Sequence, residues 1–244
     1  MADLDFTGKR VLVIGGSSGI GNGIVRAFLD RGAELAVWGT RASAADYADE
    51  PGSDLSGVAY AQVDVARPEL VEAAMLPFDG LDILVQSQGI ALYGKGEFQL
   101  AGFQQVMEVN LNSMMTCALR FRDQLTQARG SMILISSAAA FRTTLGNPAY
   151  NASKAGILGL TRSLAAAWIP DGVRVNGVAP GLVDTKLTKV TIDNPKRLEA
   201  SLERIPSRRL GLPSDIAGAV LYLASPLADF VIGQTISVDG GGSL

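Results

Sequence analysis

The sequence predicts an α/β fold: a three-layer, doubly wound parallel sheet with helices on both faces. Short apolar runs rich in Val and Ile alternate along the chain with segments that carry apolar residues at helical spacing. Strands that alternate with helices form right-handed βαβ units, which build a parallel sheet covered on both faces. Hydrophobic residues make up 48% of the 244 residues and glycine occurs 28 times, which suits buried strands joined by tight turns.

The predicted strands are runs of apolar and β-branched residues, and the predicted helices repeat with a period near 3.6. The strands are 10–15, 34–39, 58–65, 81–86, 131–136, 173–179 and 234–239. The helices between them are 20–31, 68–76, 103–128, 150–168 and 214–224. No linker or repeat divides the chain, so we expect one domain over 1–244. The polar segment 184–211 contains two prolines and is predicted to be a mobile substrate lid.

Composition excludes several kinds of chemistry. Histidine is absent, which excludes Ser-His-Asp triads, Cys-His pairs and His-ligated zinc. The single cysteine, Cys117, permits neither a disulfide framework nor a cysteine-based metal site, so no metal is predicted. Acid–base chemistry therefore has to come from Asp, Glu, Tyr, Lys or Ser side chains.

Charge and hydropathy argue against nucleic-acid and membrane partners. The formal net charge is −3 and the Lys and Arg residues are scattered, which argues against a nucleic-acid partner. No run of about 18 apolar residues occurs, so we expect no membrane span. The first residues, MADLDFTGKR, lack the apolar core of a signal peptide, and we expect a cytoplasmic protein.

A glycine-rich turn follows the first predicted strand and opens the first predicted helix. In VLVIGGSSGIGNGIV, Gly15, Gly19 and Gly21 let the backbone turn sharply and approach a pyrophosphate. The helix N-terminus adds unpaired N–H groups, and Ser17 and Ser18 add hydroxyl donors. Tight strand–helix turns need glycine in any case, but the strand–turn–helix context favours a nucleotide site.

The end of the second predicted strand indicates which nucleotide is bound. An acidic residue there would bond the 2′-hydroxyl of the adenosine ribose, but the position holds Gly39. Arg41, with Thr40, could instead contact a 2′-phosphate, which favours NADP(H) over NAD(H); the alternative is a solvated loop arginine. Asp64 is placed either to contact the adenine amino group or to cap the following turn.

A tyrosine and a lysine stand one helical turn apart in GNPAYNASKAG, at Tyr150 and Lys154. With the glycine turn, Asn110, Ser137 and PGLVDT (180–185), this pair follows the motif order of the short-chain dehydrogenase/reductase family. The chain resembles that family over essentially its whole length. The resemblance implies a Rossmann fold and an NAD(P)-dependent oxidoreductase that interconverts a carbonyl and a secondary alcohol by hydride transfer.

The resemblance assigns roles to the four catalytic residues. Tyr150 would be the acid/base, and Lys154 would stabilise its phenolate and hold the nicotinamide ribose, since a free phenol has a pKa of about 10. Ser137 would hydrogen-bond the substrate oxygen, and Asn110 would hold a water that links Lys154 to solvent. Each residue also has a structural alternative: Ser137 could end a strand, Asn110 could bond a helix carbonyl, and the Tyr150/Lys154 pair could be exposed.

The resemblance also implies the contacts of cofactor, substrate and partner subunits. The predicted cofactor-binding residues are Gly15, Ser17, Ser18, Gly19, Ile20, Gly21, Arg41, Asp64, Val65, Gln88, Gly89, Tyr150, Lys154, Pro180, Val183 and Thr185. The predicted substrate contacts are Ser137, Phe141 and Leu182, and Tyr93, Leu145 and Leu187 would make the pocket apolar. A homotetramer is expected, because small residues on the catalytic helix would let another subunit approach: Ala149, Ala152, Ala155 and Gly159.

Two motifs depart from the family pattern. Ile14 stands where the family usually has threonine, and QSQG (86–89) replaces the family's NNAG. We expect these changes to repack the region beside the adenosine half, which affects cofactor binding but not the type of reaction. Two other functions stay open: a nucleotide-binding regulatory protein, which the four intact catalytic residues disfavour, and an isomerase or lyase that uses the cofactor transiently.

Overall fold

A seven-stranded parallel sheet forms the centre of the computed structural model, which describes residues 4–244. The strands are β1 (Arg10–Ile14), β2 (Glu34–Gly39), β3 (Ala59–Gln62), β4 (Ile83–Gln86), β5 (Ser131–Ile135), β6 (Arg174–Pro180) and β7 (Thr235–Val238). They lie in the order β3-β2-β1-β4-β5-β6-β7, and every neighbouring pair is parallel. All seven predicted strands are present, and the largest difference is that β3 is shorter than predicted.

Helices cover both faces of the sheet. Among residues 4–244 the α-helices are α1 (Gly19–Leu29), α2 (Pro68–Ala73), α3 (Leu100–Met107), α4 (Ser113–Ala128), α5 (Pro148–Trp168), α6 (Lys189–Ile192), α7 (Pro195–Arg204) and α8 (Pro213–Ala224). The helix predicted over 103–128 is interrupted, because a π-helical turn at Glu108–Asn112 separates α3 from α4. Such turns are frequent at functional sites, and Asn110 lies in this one.

Strand β1 supplies side chains to both apolar cores. Val11 and Val13 pack with α1 and α8 on one face, whereas Leu12 and Ile14 pack with α4 and α5 on the other. Successive side chains of a strand point to opposite faces, so a strand buried on both sides is apolar at every position. The prediction of a three-layer, doubly wound α/β fold is confirmed.

The topology brings several loops to one edge of the sheet. Because β1 lies between β2 and β4, the winding reverses beside it. In open parallel sheets, ligands bind outside the carboxyl ends of the strands at such a switch point. The glycine turn after β1 and the loops after β4, β5 and β6 therefore meet at the edge where a site is expected.

The segment predicted to be a lid, 184–211, contains helices α6 and α7. Two contacts join its first residues to the loops that follow β4 and β2. The Tyr93 hydroxyl donates to the Leu187 carbonyl oxygen at 2.8 Å, and the Lys186 ammonium lies 3.3 Å from a Glu50 carboxylate oxygen. That this segment moves stays a prediction.

Within residues 4–244, none of the helices is both long enough and apolar enough to span a lipid bilayer.

Candidate active site

A cavity of about 420 Å³ opens at the carboxyl edge of the sheet. Its wall includes fifteen of the predicted cofactor residues: Gly15, Ser17, Ser18, Gly19, Ile20, Gly21, Asp64, Val65, Gln88, Gly89, Tyr150, Lys154, Pro180, Val183 and Thr185. Ser137 also lines it. Its size and place are those of a small-molecule or cofactor site in an open parallel sheet. The wall does not include four predicted site residues, Arg41, Asn110, Phe141 and Leu182.

The glycine turn after β1 is shaped by close backbone contacts. Gly15 has a φ of +73°, and a Cβ atom there would lie 2.8 Å from the Gln88 backbone nitrogen. A Cβ at Gly21 would overlap the Gly15 carbonyl oxygen. The turn therefore needs glycine at both positions to bring the N-terminus of α1 to the cavity. Exposed backbone and a helix N-terminus at one wall fit the diphosphate of a dinucleotide.

Lys154 lies inside the protein, on the face of α5 turned toward β5. It is 4% exposed, and its Nζ donates to the Ile135 carbonyl oxygen at 2.9 Å. The same nitrogen lies 5.7 Å from the centre of the Tyr150 ring. Burial penalises the ammonium and lowers the pKa of Lys154 to about 8. The alternative of an exposed helix pair does not apply to this geometry.

The Tyr150 phenol has a raised pKa, although Lys154 was expected to lower it. Burial is the main cause, a hydrogen bond with Ser137 opposes it, and electrostatic interactions with Tyr93 and Glu97 add to it. Burial raises the pKa because it disfavours the phenolate. The protonated phenol is thus the stable form at neutral pH, and it is the form that donates a proton to a carbonyl during reduction.

Ser136 and Ser137 are neighbours at the end of β5 but have different surroundings. The Ser136 hydroxyl is buried and donates to the Lys154 carbonyl oxygen at 2.8 Å. The Ser137 hydroxyl lines the cavity and accepts from the Ala139 N–H at 3.1 Å. Ser137 therefore caps the turn that follows β5, whereas the structural alternative had it end the strand, and its own proton stays available to a group in the cavity.

Asn110 holds the loop after β4 against the catalytic helix. Its amide donates to the Ile90 carbonyl oxygen at 2.9 Å and to the Ser153 hydroxyl at 3.1 Å, and its oxygen accepts from the Ile90 N–H at 2.8 Å. The side chain is fully buried behind the wall. The carbonyl oxygen that Asn110 bonds thus belongs to the loop after β4 and not to its own helix. A Cβ at Gly89 would lie 3.4 Å from the Lys154 Nζ and 3.5 Å from the Asn110 oxygen, so Asn110 and Lys154 flank the same glycine.

Comparison with known proteins identifies the family. Residues 14–243 match the model of a family described as enoyl-(acyl carrier protein) reductase. A 3-oxoacyl-(acyl-carrier-protein) reductase of Chlamydia pneumoniae is 37% identical, with 98% of each chain covered. The 2-dehydro-3-deoxy-D-gluconate 5-dehydrogenase of Bacillus subtilis (strain 168) is 36% identical, over 96% of this chain and 94% of its own. The RhlG/NADP active-site complex of Pseudomonas aeruginosa superposes with a TM-score of 0.89 at 26% identity, with 100% of both chains covered.

This chain belongs to the short-chain dehydrogenase/reductase family. It is an NAD(P)-dependent oxidoreductase that interconverts a carbonyl and an alcohol at a CH–OH group. The predicted family, fold and class of reaction are thereby confirmed.

Arg41 follows Thr40, which lines the cavity, but does not itself belong to the wall. Its guanidinium lies 4.4 Å from the centre of the Tyr47 ring and forms an ion pair with Glu50. Lys186, which lines the cavity, lies 3.3 Å from the same Glu50 oxygen. The bond to Glu50 raises the pKa of Arg41. Arg41 is therefore a partly exposed loop residue outside the wall, held by Glu50 beside Tyr47.

The part of the cavity lined by the glycine turn and the end of β2 is called its nucleotide end. Two other groups there, in this dehydrogenase/reductase, already make hydrogen bonds within the protein. The Gly19 N–H, at the start of α1, donates to the Gly52 carbonyl oxygen at 3.0 Å. Asp64 accepts from the Ala66 N–H at 3.0 Å and also lines the cavity. Asp64 therefore caps the following turn, which was the alternative to adenine contact, and its place on the wall leaves adenine contact available.

The QSQG variant of the family motif connects the end of β4 to α4. The Gln86 amide donates to the Met114 carbonyl oxygen at 3.0 Å. The Gln88 amide donates to the Gln86 oxygen at 3.2 Å and to the Ser113 hydroxyl at 3.1 Å. Ile14 is buried on the neighbouring strand β1, paired in register with Gln86. The longer amides span the distance to α4, and the buried Gln88 oxygen has no hydrogen-bond partner within residues 4–244.

The predicted substrate contacts are only partly on the cavity wall. Ser137 and Leu187 line the cavity, but Phe141 and Leu182 do not. Phe141 ends the turn that Ser137 caps and is 48% exposed, and Leu145 is 99% exposed. The Leu182 carbonyl oxygen accepts from the Gly211 N–H at 2.9 Å.

Sequence reasoning missed three charged residues around the site: Glu50, Lys186 and Glu97. Glu50 and Lys186 lie in polar segments where a charged residue gives no signal, since most such residues are solvated. Glu97 lies between Gly96 and Phe98, at the first element after the QSQG loop, and is 1% exposed. The only sequence signal for Glu97 was that an acidic residue stands just before an apolar helical repeat.

Proposed function

We propose that Tyr150 is the acid/base of the reaction, that Ser137 holds the reacting oxygen and that Lys154 supports the phenolate. The observation that carries this proposal is the convergence of the three side chains on one wall of a cavity that the glycine turn also lines. The absence of histidine leaves a phenol as the natural proton donor near neutral pH.

The chain's own groups handle the proton and the oxygen. A bound nicotinamide cofactor supplies or accepts the hydride. Ser137 donates its hydroxyl proton to the carbonyl oxygen, because that oxygen can only accept, while the Ala139 N–H bond fixes the position of the Ser137 hydroxyl oxygen. Tyr150 transfers its proton to the same oxygen as negative charge develops there. The Lys154 ammonium then stabilises the phenolate from below the ring.

We propose that NADP(H) is preferred over NAD(H). Gly39 lines the cavity at the position where an acidic residue would favour NAD(H), and Arg41 and Lys186 provide positive charge near it. Glu50 opposes this preference because it occupies both cations. The cofactor preference therefore depends on how readily the two cations exchange Glu50 for a phosphate.

The proposed function is tested by the absorbance of the nicotinamide, which differs between the reduced and the oxidised cofactor and therefore reports turnover. We expect turnover of NADPH faster than of NADH with at least one member of a panel that covers apolar ketones, keto sugar acids and 3-oxoacyl thioesters. Leu187 on the cavity wall, with the exposed Phe141 at the end of the Ser137 turn, supports the apolar ketones and the acyl thioesters. Tight nucleotide binding without turnover of any member would refute catalysis and favour a regulatory protein.

We also propose the homotetramer that the sequence predicts. Ala152, Ala155 and Gly159 are exposed along one side of α5, and a Cβ at Gly159 would contact nothing within 4 Å. Ala149 is fully buried and makes no outer surface, so it does not contribute. Small exposed residues on a long helix let a second helix approach closely. The mass in solution, measured by light scattering, is expected to be four times the monomer mass of 25.5 kDa, and a monomer would contradict the proposal.

A further inference from the structure

Glu97 is a buried carboxylate beside the catalytic helix. It lies in a 3₁₀ turn (Gly96–Phe98) and is 1% exposed, a degree of burial that carboxylates almost never reach without partners. Its Oε1 accepts from the Leu92 N–H and from the Asn147 amide, both at 3.0 Å. Its Oε2 accepts from the Tyr150 N–H at 2.9 Å. All three donors are neutral, and none of the ion pairs found within residues 4–244 includes Glu97.

The bond to Tyr150 caps the catalytic helix from a distant part of the chain. Tyr150 is in the first turn of α5, where the N–H groups have no partner inside the helix. Asn147 precedes the helix, but its side chain makes no capping bond to it. Its amide instead contacts Glu97 and the Leu92 carbonyl oxygen, the latter at 3.2 Å. Glu97 supplies the missing acceptor from 53 residues away, and a negative charge there is favourable against the helix dipole.

The same carboxylate holds the loop that follows β4. The Leu92 N–H is bonded to Glu97, and the next residue, Tyr93, donates its hydroxyl to the Leu187 carbonyl oxygen at 2.8 Å. Leu187 lines the cavity and belongs to the 184–211 segment. Glu97 thus joins the start of α5 to the loop that contacts this segment.

We propose that Glu97 is a positioning residue, which holds the first turn of α5 so that the Tyr150 hydroxyl stays beside Ser137 and over Lys154. The inference rests on the proposed acid/base role of Tyr150. The bond is made to the main chain of Tyr150 itself, so a change at Glu97 moves the reacting phenol directly. A displacement of about 1 Å in a reacting group costs on the order of 100-fold in rate.

Charge gives Glu97 a second, separable effect. The titratable groups that face the Tyr150 side chain are Tyr93, Glu97 and Lys154. The negative charge of Glu97 raises the pKa of Tyr150, so its removal lowers that pKa. Glu97→Gln removes the charge and one acceptor oxygen, whereas Glu97→Asp keeps the charge and shortens the reach of the side chain.

Steady-state kinetics on both variants test the proposal. We expect kcat to fall about 10- to 100-fold in each, with the cofactor Kd and the substrate KM changed by less than about threefold. The pH profile of alcohol oxidation moves to lower pH in Glu97→Gln and not in Glu97→Asp. Glu72→Gln, the same change of charge at an exposed position of α2, is the control and leaves all these quantities unchanged.

Two outcomes would overturn the inference. One is a kcat within about threefold of the parent in both variants. The other is an equal loss of kcat and cofactor affinity with no change in the pH profile, which indicates general loosening of the fold. If Glu97→Gln does not fold, the kcat and KM of Glu97→Asp decide. Tyr150→Phe, measured alongside, separates the two levels: its retained activity refutes the proposed function, whereas an inactive Tyr150→Phe with fully active Glu97 variants refutes only the role of Glu97.

Discussion

The two ends of the cavity are held together by different kinds of contact. At the chemistry end, buried side chains bond to main-chain atoms, as Lys154 does to Ile135, Asn110 to Ile90 and Glu97 to Tyr150. At the nucleotide end, partly exposed charges pair with one another, as Arg41 and Lys186 do with Glu50. Partly exposed ion pairs contribute little free energy and exchange readily, whereas breaking a buried bond leaves a polar group without a partner. The catalytic geometry is thus built in advance, and the nucleotide end can change partners when a phosphate arrives.

The largest effect is expected at the chemistry end, from Tyr150→Phe. Loss of the proton donor lowers kcat by about 100- to 10,000-fold, the usual contribution of general acid–base catalysis. The cofactor Kd, from fluorescence titration, stays nearly unchanged because the ring remains. Tyr222→Phe, on the exposed side of α8, is the control. Full activity in Tyr150→Phe would contradict the acid/base role of Tyr150, and the buried contacts of the chemistry end would then not serve catalysis.

Lys154→Met tests whether the chemistry end is built at the expense of stability. Burial lowers the pKa of Lys154 from 10.5 to about 8, so between these values the unfolded chain binds more protons than the folded one. Stability therefore rises with pH across that window, and the cost of the buried ammonium is fully present below it. We expect the variant to be inactive yet more stable near pH 7, by up to about 3 kcal/mol, with a smaller gain near pH 10.

Urea unfolding at the two pH values measures the gain in Lys154→Met. Lys196→Met, at an exposed position of α7, is the matched control and is expected to show no gain at either pH. A variant less stable than the parent at both pH values would show that the Lys154 hydrogen bond to Ile135 outweighs the cost of burial.

At the nucleotide end, Arg41→Ala is expected to weaken NADPH binding about 10-fold and NADH binding much less. The reason is that only NADPH carries the 2′-phosphate that Arg41 would bond. Binding is measured by titration with each cofactor. Arg26→Ala is the control: it removes the same charge from α1, where the Arg26 guanidinium donates to the Ser56 carbonyl oxygen. An equal effect on both cofactors would refute the phosphate role of Arg41.

The smallest effect is expected from Glu50→Gln, and it is a gain. Removing the carboxylate frees Arg41 and Lys186, so NADPH is expected to bind about 3- to 10-fold more tightly, while the NADH Kd stays the same. Asp49→Asn makes the same change of charge one residue away, at an exposed side chain, and should leave both constants unchanged. Weaker NADPH binding in Glu50→Gln would mean that Glu50 supports the site rather than competing for it.

The order of the elements could be predicted from the sequence because it depends on local repeats. Strand and helix periods are properties of neighbouring residues, and β1 is apolar at successive positions because both of its faces are covered. The cavity and most of its lining followed from the topology, since the carboxyl ends of adjacent parallel strands share one edge. Tyr150 and Lys154 could be paired for a similar reason, as they are one turn apart on one helix.

The π-helical turn at Glu108–Asn112, the burial of Lys154 and the partners of Arg41 were decided by the tertiary structure alone. Ser136 and Ser137 are adjacent and chemically identical, yet one bonds α5 and the other faces the cavity. Glu97 is joined to Tyr150 across 53 residues. The sequence by itself determined the fold, the family and the residues able to do the chemistry. Which charges are buried, paired or available depends on distance and solvent exposure, and only the packed chain sets these.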